Sequence, residues 1–427
     1  MAFSLAISPW SVHLSRIAYE ANVAMAFCMA GVTFWLASTV NKKPWLVILS
    51  GVCFGLTMIG YHAFQLFTPL IIAWTAWILR TEVKSFIGKY RLISAFSVIV
   101  FLLPILFLFV DKAIENNQTK YSGISIFSEE RLQSQQAEVN GVLSPKGLSF
   151  LQPFYSSRPV LLSQTFIRGM FSMMNPDFLF LRGGSHGSHN IPGVGNMHWY
   201  AVLTLAISLL YFLKKKRIWQ RWILGWIVLA SVAPLLTIEP NHSIRFFPAI
   251  LGLEIMSSYG IGLIGSYLKK VQPFLILVFI FSIFHLFVAY FILFPALNAD
   301  RWPWFSDDLV QAVYNRSEAF PKVLMQGESS SPYVYFLFFS PDRIIKDGEE
   351  FIHYPPTEEG FEHVQQLGKT HFGRIVWSDI EKAQEPVLLV VQPKEVPGDK
   401  FDNPRYKVVQ EISRPNSLTS YLIMEYR

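Results

Sequence analysis

Apolar stretches long enough to cross a lipid bilayer recur along this chain, and they constrain its fold more than any other feature. The chain has 427 residues, of which 52% are hydrophobic and only 15% are charged, whereas a soluble domain carries about 25% charge. Because a helical crossing needs about 20 apolar residues, the sequence predicts a mainly α-helical polytopic membrane protein. Eight full transmembrane helices are predicted, at Glu20–Thr39, Pro44–Gly60, Ala63–Leu79, Leu92–Val110, Met197–Leu213, Trp219–Ile238, Arg245–Leu268 and Pro273–Phe294.

Basic residues lie in every second connection between these predicted spans. The positive-inside rule places such short basic connections in the cytoplasm. The net charge of +6 is therefore interpreted as a topology signal, and no nucleic acid partner is expected. This orientation predicts a multi-pass protein of the cell inner (plasma) membrane with an extracytoplasmic C-terminus. The basic connections contain Lys42 and Lys43, then Arg80, Lys84, Lys89 and Arg91, then Lys214 to Arg217, then Lys269 and Lys270.

The sequence changes character near residue 298, which predicts two domains. Residues 1–298 form the transmembrane domain, with a long outer loop at 111–196, and residues 299–427 form a soluble extracytoplasmic domain. Helix-like and strand-like periods alternate in this tail, so a small α/β domain is expected. Its predicted elements are a helix at Ser306–Ala319, strands at Lys322–Met325, Arg374–Trp377 and Val387–Gln392, and a hairpin of Tyr406–Ile412 with Ser420–Tyr426.

Neither the cysteines nor the histidines predict a metal centre. Cys28 and Cys53 both lie within apolar segments, so a disulfide framework and a cysteine metal site are not expected. His186 and His189 are three residues apart, but no nearby carboxylate or cysteine completes a ligand set. No metal and no cofactor are therefore predicted.

Polar clusters at the predicted outer ends of the spans carry the candidate chemistry, because ionisable groups near membrane depth are costly and commonly functional. Arg16 and Glu20 are four residues apart and would share one face of a helix. Glu20 could accept a proton from a hydroxyl nucleophile, or the pair could simply stabilise the start of a helix. His62 lies in the tightest outer turn, where a structural role is the main alternative.

Two further clusters suit an anionic ligand. One contains Arg182, His186 and His189 among glycines, which let a backbone approach a ligand closely. A flexible polar loop is the alternative for this segment. The other contains His242 and Arg245 at the start of a span, where an arginine either snorkels or binds an anion. Together these clusters predict a site for an amphiphilic anion such as a lipid phosphate.

Three of these motifs resemble stretches of the bacterial and archaeal family 39 glycosyltransferases, which are relatives of protein O-mannosyltransferases and lipid A aminoarabinose transferases. The resemblance covers residues 1 to about 300, in order. Ser8-Pro9-Trp10, Ser15-Arg16 and Glu20-Ala21-Asn22 resemble SPWHxxxSRxxFEAN; Asn175 to Phe180 with Gly183 and His189 to Gly195 resemble PDFLFxxGDxNxRHxxPGxG; and His242, Arg245 and Pro248 resemble HxxRxxxxxP.

The resemblance implies a GT-C membrane fold that moves a sugar from a polyprenyl-phosphate donor to a lipid, glycan or protein acceptor on the outer side. It also implies inversion at the anomeric carbon, with polyprenyl phosphate as the leaving group and membrane lipids as surroundings. Glu20 falls where the family has its second outer-loop acid, so Glu20 and Arg16 are the candidate catalytic residues. The candidate substrate-binding residues are His62, Arg182, His186, His189, His242 and Arg245.

The sequence departs from the family pattern in two places. The family has an acidic outer loop ahead of the SPW stretch, and this sequence has no counterpart there. In the loop motif, Gly184 and Ser188 stand where the family has an acid and an arginine. Because the apolar segment Met1–Ser8 is too short to cross a membrane, we expect that the chain begins partway through a helix and is a shortened version of a longer protein.

Two other functions remain open from the sequence. A transporter or flippase of a lipid-linked or anionic solute would carry ionisable groups near mid-span. Glu254 is such a residue, although most ionisable groups cluster at the outer ends of the spans. A non-catalytic membrane anchor that presents the C-terminal domain to a partner is the third possibility.

Overall fold

The computed structural model describes residues 2–41, 43–115, 124–299, 307–327, 332–342, 351–355 and 363–427. The chain divides into two compact units, Met1–Phe291 and Ile292–Arg427. The first unit is built of helices, and the second contains a seven-stranded sheet. The coarse prediction of a mainly helical protein with a small C-terminal α/β domain is therefore confirmed.

The helices of the first unit follow one another with short connections, except for the long segment between α7 and α11. Their bounds are α1 Ala2–Ile7, α2 Pro9–Arg16, α3 Glu20–Val40, α4 Leu46–Gly60, α5 His62–Ile78, α6 Arg80–Lys89, α7 Arg91–Glu115, α8 Glu129–Leu143, α9 Gln152–Tyr155, α10 Arg158–Met173, α11 Tyr200–Lys215, α12 Ile218–Ala230, α13 Val232–Leu235, α14 Ile250–Tyr267 and α15 Gln272–Val288.

Within the described residues, four helices are long and apolar enough to cross a membrane. They are Glu20–Thr39, Ile218–Leu235, Phe247–Tyr267 and Lys269–Leu297. Of the other four predicted spans, α7 is a helix of 25 residues whose side chains are described only as far as Phe107, α4 has 15 residues, and the remaining two are bent or short. Helices α5 and α6 meet at an angle of 92°, and α11 has 16 residues because Met197, its predicted start, instead bonds through its backbone N–H to the Leu179 carbonyl (2.7 Å).

Small residues let the helices of the first unit approach closely. A Cβ at Gly260 of α14 would collide with the Thr204 carbonyl of α11, and one at Gly225 of α12 would collide with the Trp74 indole of α5. Helices in membranes pack through such contacts, since lipid tails provide little hydrophobic force between them. These glycines therefore fix the distances between α11 and α14 and between α5 and α12.

The second unit is a mixed sheet with the strand order β2-β3-β4-β1-β5-β7-β6. β1 is parallel to β4 and β5, and the remaining neighbours are antiparallel. Its elements are α16 Phe294–Leu297, α17 Asp307–Ser317, β1 Lys322–Met325, α18 Tyr333–Phe339, β2 Phe351–His353, β3 Val364–Leu367, β4 Thr370–Phe372, α19 Trp377–Ala383, β5 Val387–Val391, α20 Gly398–Asp402, β6 Tyr406–Ser413 and β7 Thr419–Tyr426.

The C-terminal predictions are largely confirmed, with one error. The helix, β1, β5 and the β6–β7 hairpin form close to their predicted positions, and every residue of β5 is buried, as expected for a strand covered on both faces. The predicted strand Arg374–Trp377 is wrong. The strand lies earlier, at β4, which pairs in parallel with β1; the Gly373 N–H still donates to the Met325 carbonyl (3.0 Å), and Trp377 then begins a helix.

The close approach of α11 and α14 gives a test of the helix packing. We expect Gly260→Ala to lower the free energy of unfolding by about 1–3 kcal/mol, because the added methyl overpacks a filled contact. Gly262→Ala is the matched control, since no atom lies within 4 Å of its added Cβ. Thermal unfolding in detergent measures both. Equal stability of the two variants would contradict this packing.

Candidate functional site

The buried Trp10 joins the three segments that form the candidate site. Its indole N–H donates to the Ser243 carbonyl (2.8 Å), and its backbone N–H donates to the Asn196 carbonyl (3.2 Å). Its ring packs edge-on against Phe178 and Phe247. The motif around Trp10 thus holds the 175–196 segment and the 239–248 segment against α2.

Asn190 fixes the shape of the glycine-rich loop beside this contact. Its side-chain oxygen accepts from the Gly184 N–H (2.8 Å) and from the Ser243 hydroxyl (2.5 Å). Its side-chain amide donates to the His186 carbonyl (2.7 Å). Gly183 takes the left-handed conformation with φ +75°, and a Cβ there would strike the Asn190 side chain. Glycine is therefore required at this position.

Three predicted substrate-binding histidines come together as one cluster, which we call the histidine cluster: His186, His189 and His242. The His186 and His189 rings stack with 4.0 Å between centroids. The His189 and His242 centroids lie 4.8 Å apart, with 3.2 Å between His189 Nδ1 and His242 Nε2. Tyr19, which directly precedes Glu20, packs edge-on against His189 at 5.0 Å.

The backbone fixes the protonation pattern of two of these rings. The Ile244 N–H donates to His242 Nδ1 (3.3 Å), so a neutral His242 carries its proton on Nε2. That N–H then donates to His189 Nδ1, which leaves the His189 proton on Nε2. The arrangement makes His189 a hydrogen-bond donor through Nε2.

Burial lowers the pKa of His189, His242 and the neighbouring His13, which keeps these three side chains neutral. It lowers the pKa of His189 to about 3, assisted by the charges of His186, His13 and Arg245. The pKa of His242 is likewise lowered to about 3, chiefly by burial and next by the positive charge of the nearby Arg245. His13 lies beneath the loop, donates through Nε2 to the Ser188 carbonyl (3.1 Å), and has its pKa lowered by burial to about 4.

Next to the histidine cluster is a cavity of about 620 Å³ that contains the predicted residues His62 and Arg245. We call it the Arg245 cavity. One wall forms where Ser125 and Thr237 meet as an antiparallel bridge. Arg245 is half-buried and donates from Nη1 to the Thr237 hydroxyl (3.2 Å). The remaining lining residues are mostly apolar: Tyr61, Ala63, Gln65, Leu66, Ile124, Phe127, Ala233 and Leu236.

The two other predicted arginines do not line this cavity. The exposed Arg16 lies over the Tyr290 and Phe291 rings, 5.2 and 5.3 Å from their centroids. The exposed Arg182 donates through Nε to the Asp177 carboxylate (2.7 Å). Both are therefore engaged by neighbours of their own.

The predicted helical pairing of Arg16 with Glu20 is wrong. Helix α2 ends at Arg16, and Ala18 has φ +54°, a left-handed conformation that turns the chain before α3 begins at Glu20. The two side chains therefore belong to different helices. Glu20 lies exposed in the first turn of α3, where a carboxylate complements the helix dipole.

Several residues of this site were not singled out by sequence reasoning. Asn190 and Ser243 shape the loop, Tyr19 contacts His189, and Thr237 holds Arg245. Asn190 and Tyr19 do stand next to predicted residues, but their roles depend on contacts over long sequence separations. In the described part of the chain, no group of three His, Cys, Asp or Glu side chains is arranged to hold a metal ion.

The chain was compared with models of known protein families and with curated proteins. No family model matches it, and no curated protein matches it significantly.

The neutral histidines predict a pH dependence of stability. As the pH falls, a histidine whose pKa in the folded protein lies below about 6.5 becomes protonated in the unfolded chain before it does so in the folded protein. Its contribution to the free energy of unfolding is therefore complete above about pH 6.5 and is lost as the pH falls toward the pKa of the folded state. We expect the midpoint temperature of thermal unfolding to decrease as the pH is lowered from about 7 to about 5. His189→Gln and His242→Gln should make that fall smaller.

The matched control is His353→Gln, which changes an exposed residue of β2 and should leave the fall as in the unchanged protein. An identical pH response in all three variants would contradict the assignment of buried neutral rings.

Proposed function

We propose that this chain is a membrane glycosyltransferase that moves a sugar from a polyprenyl-phosphate donor to an acceptor on the extracytoplasmic side. The Arg245 cavity is the observation that carries this proposal. Its lining is mostly apolar, yet Arg245 and His62 both contribute to it. Such a lining suits an amphiphile with an apolar tail and an anionic head, since a guanidinium binds phosphate through charge-assisted hydrogen bonds.

The position of Arg245 supports a link between this cavity and the histidine cluster. Arg245 lines the cavity, and its charge also contributes to the low pKa of His189 and His242. A phosphate held by Arg245 would therefore lie near the neutral His189, whose Nε2–H can donate a hydrogen bond. Donors aimed at a leaving phosphate stabilise the negative charge that develops on it.

The proposed reaction is a displacement at the anomeric carbon. An acceptor hydroxyl oxygen forms the new bond to that carbon, and the bond from the carbon to the phosphate oxygen breaks. Polyprenyl phosphate leaves with the bonding electrons, and the acceptor proton passes to the Glu20 carboxylate. Glu20 lies exposed beside Tyr19, which contacts His189, so an acceptor could approach from this side.

The proposal includes the eight-span GT-C-like arrangement, with the long loop and the C-terminal unit on the extracytoplasmic side of the plasma membrane. It is supported by the alternation of basic connections and by the three motifs that resemble family 39 glycosyltransferases. We also propose that three other residues contact the acceptor or the sugar of the donor: Arg16, Arg182 and His186. The acceptor is a lipid, a glycan or a protein.

Binding of the donor's leaving group tests the Arg245 cavity. We expect Arg245→Gln to weaken polyprenyl phosphate binding roughly tenfold or more, because a charge-assisted hydrogen bond contributes about 1.5–3 kcal/mol. Polyprenol, which lacks the phosphate, should bind the variant and the unchanged protein alike. Native mass spectrometry of the detergent complex measures both ligands.

Two further variants sharpen the binding test. Arg245→Lys keeps the charge and should retain part of the affinity. Arg158→Gln is the arginine control, since Arg158 pairs with Glu129 at the protein surface. The cavity assignment fails if Arg245→Gln and Arg158→Gln bind polyprenyl phosphate equally well.

Transfer itself tests Glu20. Membranes containing the chain receive radiolabelled polyprenyl-phosphate mannose or polyprenyl-phosphate aminoarabinose, and labelled acceptor is separated from the donor. We expect Glu20→Gln to lower transfer by about a hundredfold or more, as for loss of a general base. Equal transfer by both proteins would remove Glu20 from the catalytic role.

A transporter is the second candidate, and Glu254 is the observation that favours it. This carboxylate is buried within α14 and accepts a hydrogen bond from the Ser4 hydroxyl of α1. Ionisable groups at such positions often belong to ion or solute pathways. Movement of intact polyprenyl-phosphate sugar across vesicles, without label on any acceptor, would favour this function over transfer.

A further inference from the structure

Helix α10 turns its apolar face away from the protein. The large side chains along one side of this helix are all exposed: Phe166 by 40%, Ile167 by 53%, Met170 by 50%, Phe171 by 75% and, just beyond its end, Met174 by 45%. The side of α10 that faces the protein carries Thr165 and the buried Leu161 and Met173, while Gln164 and Arg168 flank the exposed apolar side. Leu161, Gln164, Thr165 and Arg168 line a groove shared with α8. In a soluble protein an amphipathic helix places its apolar face on the core, whereas the larger apolar face of α10 points away from the protein.

The position of α10 indicates what covers this face. A Cβ at Gly169 would press on the Leu235 side chain at 2.9 Å and on the Pro240 ring at 3.1 Å. Leu235 is the last residue of the candidate span Ile218–Leu235. Helix α10 is therefore seated at the end of a segment suited to cross a membrane, where hydrocarbon gives way to headgroups and water.

The residues before α10 extend the same exposed surface. Phe150 is 74% exposed and Phe154 is 62% exposed, in the turns between α8 and α10. Phenylalanine is among the residues that interfacial helices insert into the apolar side of a membrane–water boundary. An exposed apolar surface of this extent in water would favour aggregation or binding.

We propose that α10 lies in the membrane interface, with Phe166, Ile167, Met170 and Phe171 among the lipid acyl chains. The Arg168 side of the helix faces the headgroups and water. This is the arrangement of an interfacial amphipathic helix, whose apolar side enters the bilayer by about 5–10 Å. The occupant of the exposed face is the same bilayer that surrounds the spans. The assignment does not depend on the reaction proposed above.

Spin labels on the two sides of α10 test this proposal in the full chain. Cys28 and Cys53, the two cysteines of the sequence, are first replaced by alanine. A nitroxide is then attached at Phe171→Cys or, as the matched control, at Thr165→Cys, which lies on the groove side of the helix. The protein is reconstituted into vesicles of phosphatidylcholine and phosphatidylglycerol, and collisions with oxygen and with a water-soluble nickel chelate are measured by power saturation.

The expected result is a label at 171 that oxygen reaches more readily than the nickel chelate, and a label at 165 with the opposite preference. Equal or greater access of the chelate to the label at 171 overturns the proposal. Spin–spin broadening between labels at 171 overturns it in favour of a second copy of the chain. If neither reagent reaches the label at 171, the exposed face is covered by protein and the proposal is overturned.

A second pair of positions keeps the test independent of one substitution. Met170→Cys and Arg168→Cys, which lie on opposite sides of the helix, repeat the comparison. If neither position 171 nor position 170 shows the preference for oxygen in protein that retains its thermal unfolding transition, the interfacial assignment is wrong.

Discussion

The contact of Trp10 with the Ser243 carbonyl is the interaction on which the rest of the candidate site depends. The Trp10 indole is buried, and its N–H therefore needs a hydrogen-bond partner. The bond to Ser243 provides that partner and joins segments that are 233 residues apart. Because the adjacent backbone bond to Asn196 fixes the glycine-rich loop at the same point, His189 can meet His242. Arg245 follows three residues later and lines the cavity. The cavity and the histidine cluster are thus two consequences of one buried junction.

The sequence predicted the helical segments and most of the sheet because their signals are local. Runs of apolar residues indicate helices at membrane depth, and the alternating pattern at Tyr406–Ile412 indicates a strand. The misplaced strand at Arg374–Trp377 shows the limit of such signals. β4 is placed by its parallel pairing with β1, which includes the bond from Gly373 to Met325, 48 residues earlier in the chain, and no local pattern reports that pairing.

The sequence indicated which types of residue form the candidate site, but not which of those residues lie together in the fold. Polar groups at the ends of apolar segments are costly, which singles out these residue types. The structure joins His186, His189 and His242 in one cluster and lines one cavity with His62 and Arg245. The pairing of Arg16 with Glu20 failed because helical spacing assumed one continuous helix, whereas Ala18 turns the chain between two. Spacing arguments hold only where the backbone conformation is known.

The central claim is that the Arg245 cavity binds the phosphate end of a polyprenyl chain. The most direct measurement is photo-crosslinking of a diazirine-labelled polyprenyl phosphate to the full chain, followed by peptide mass spectrometry. We expect crosslinks in the lining segments around His62, Phe127 and Leu236, and competition by unlabelled polyprenyl phosphate but not by polyprenol. Crosslinks confined to other segments, or equal competition by polyprenol, would contradict it.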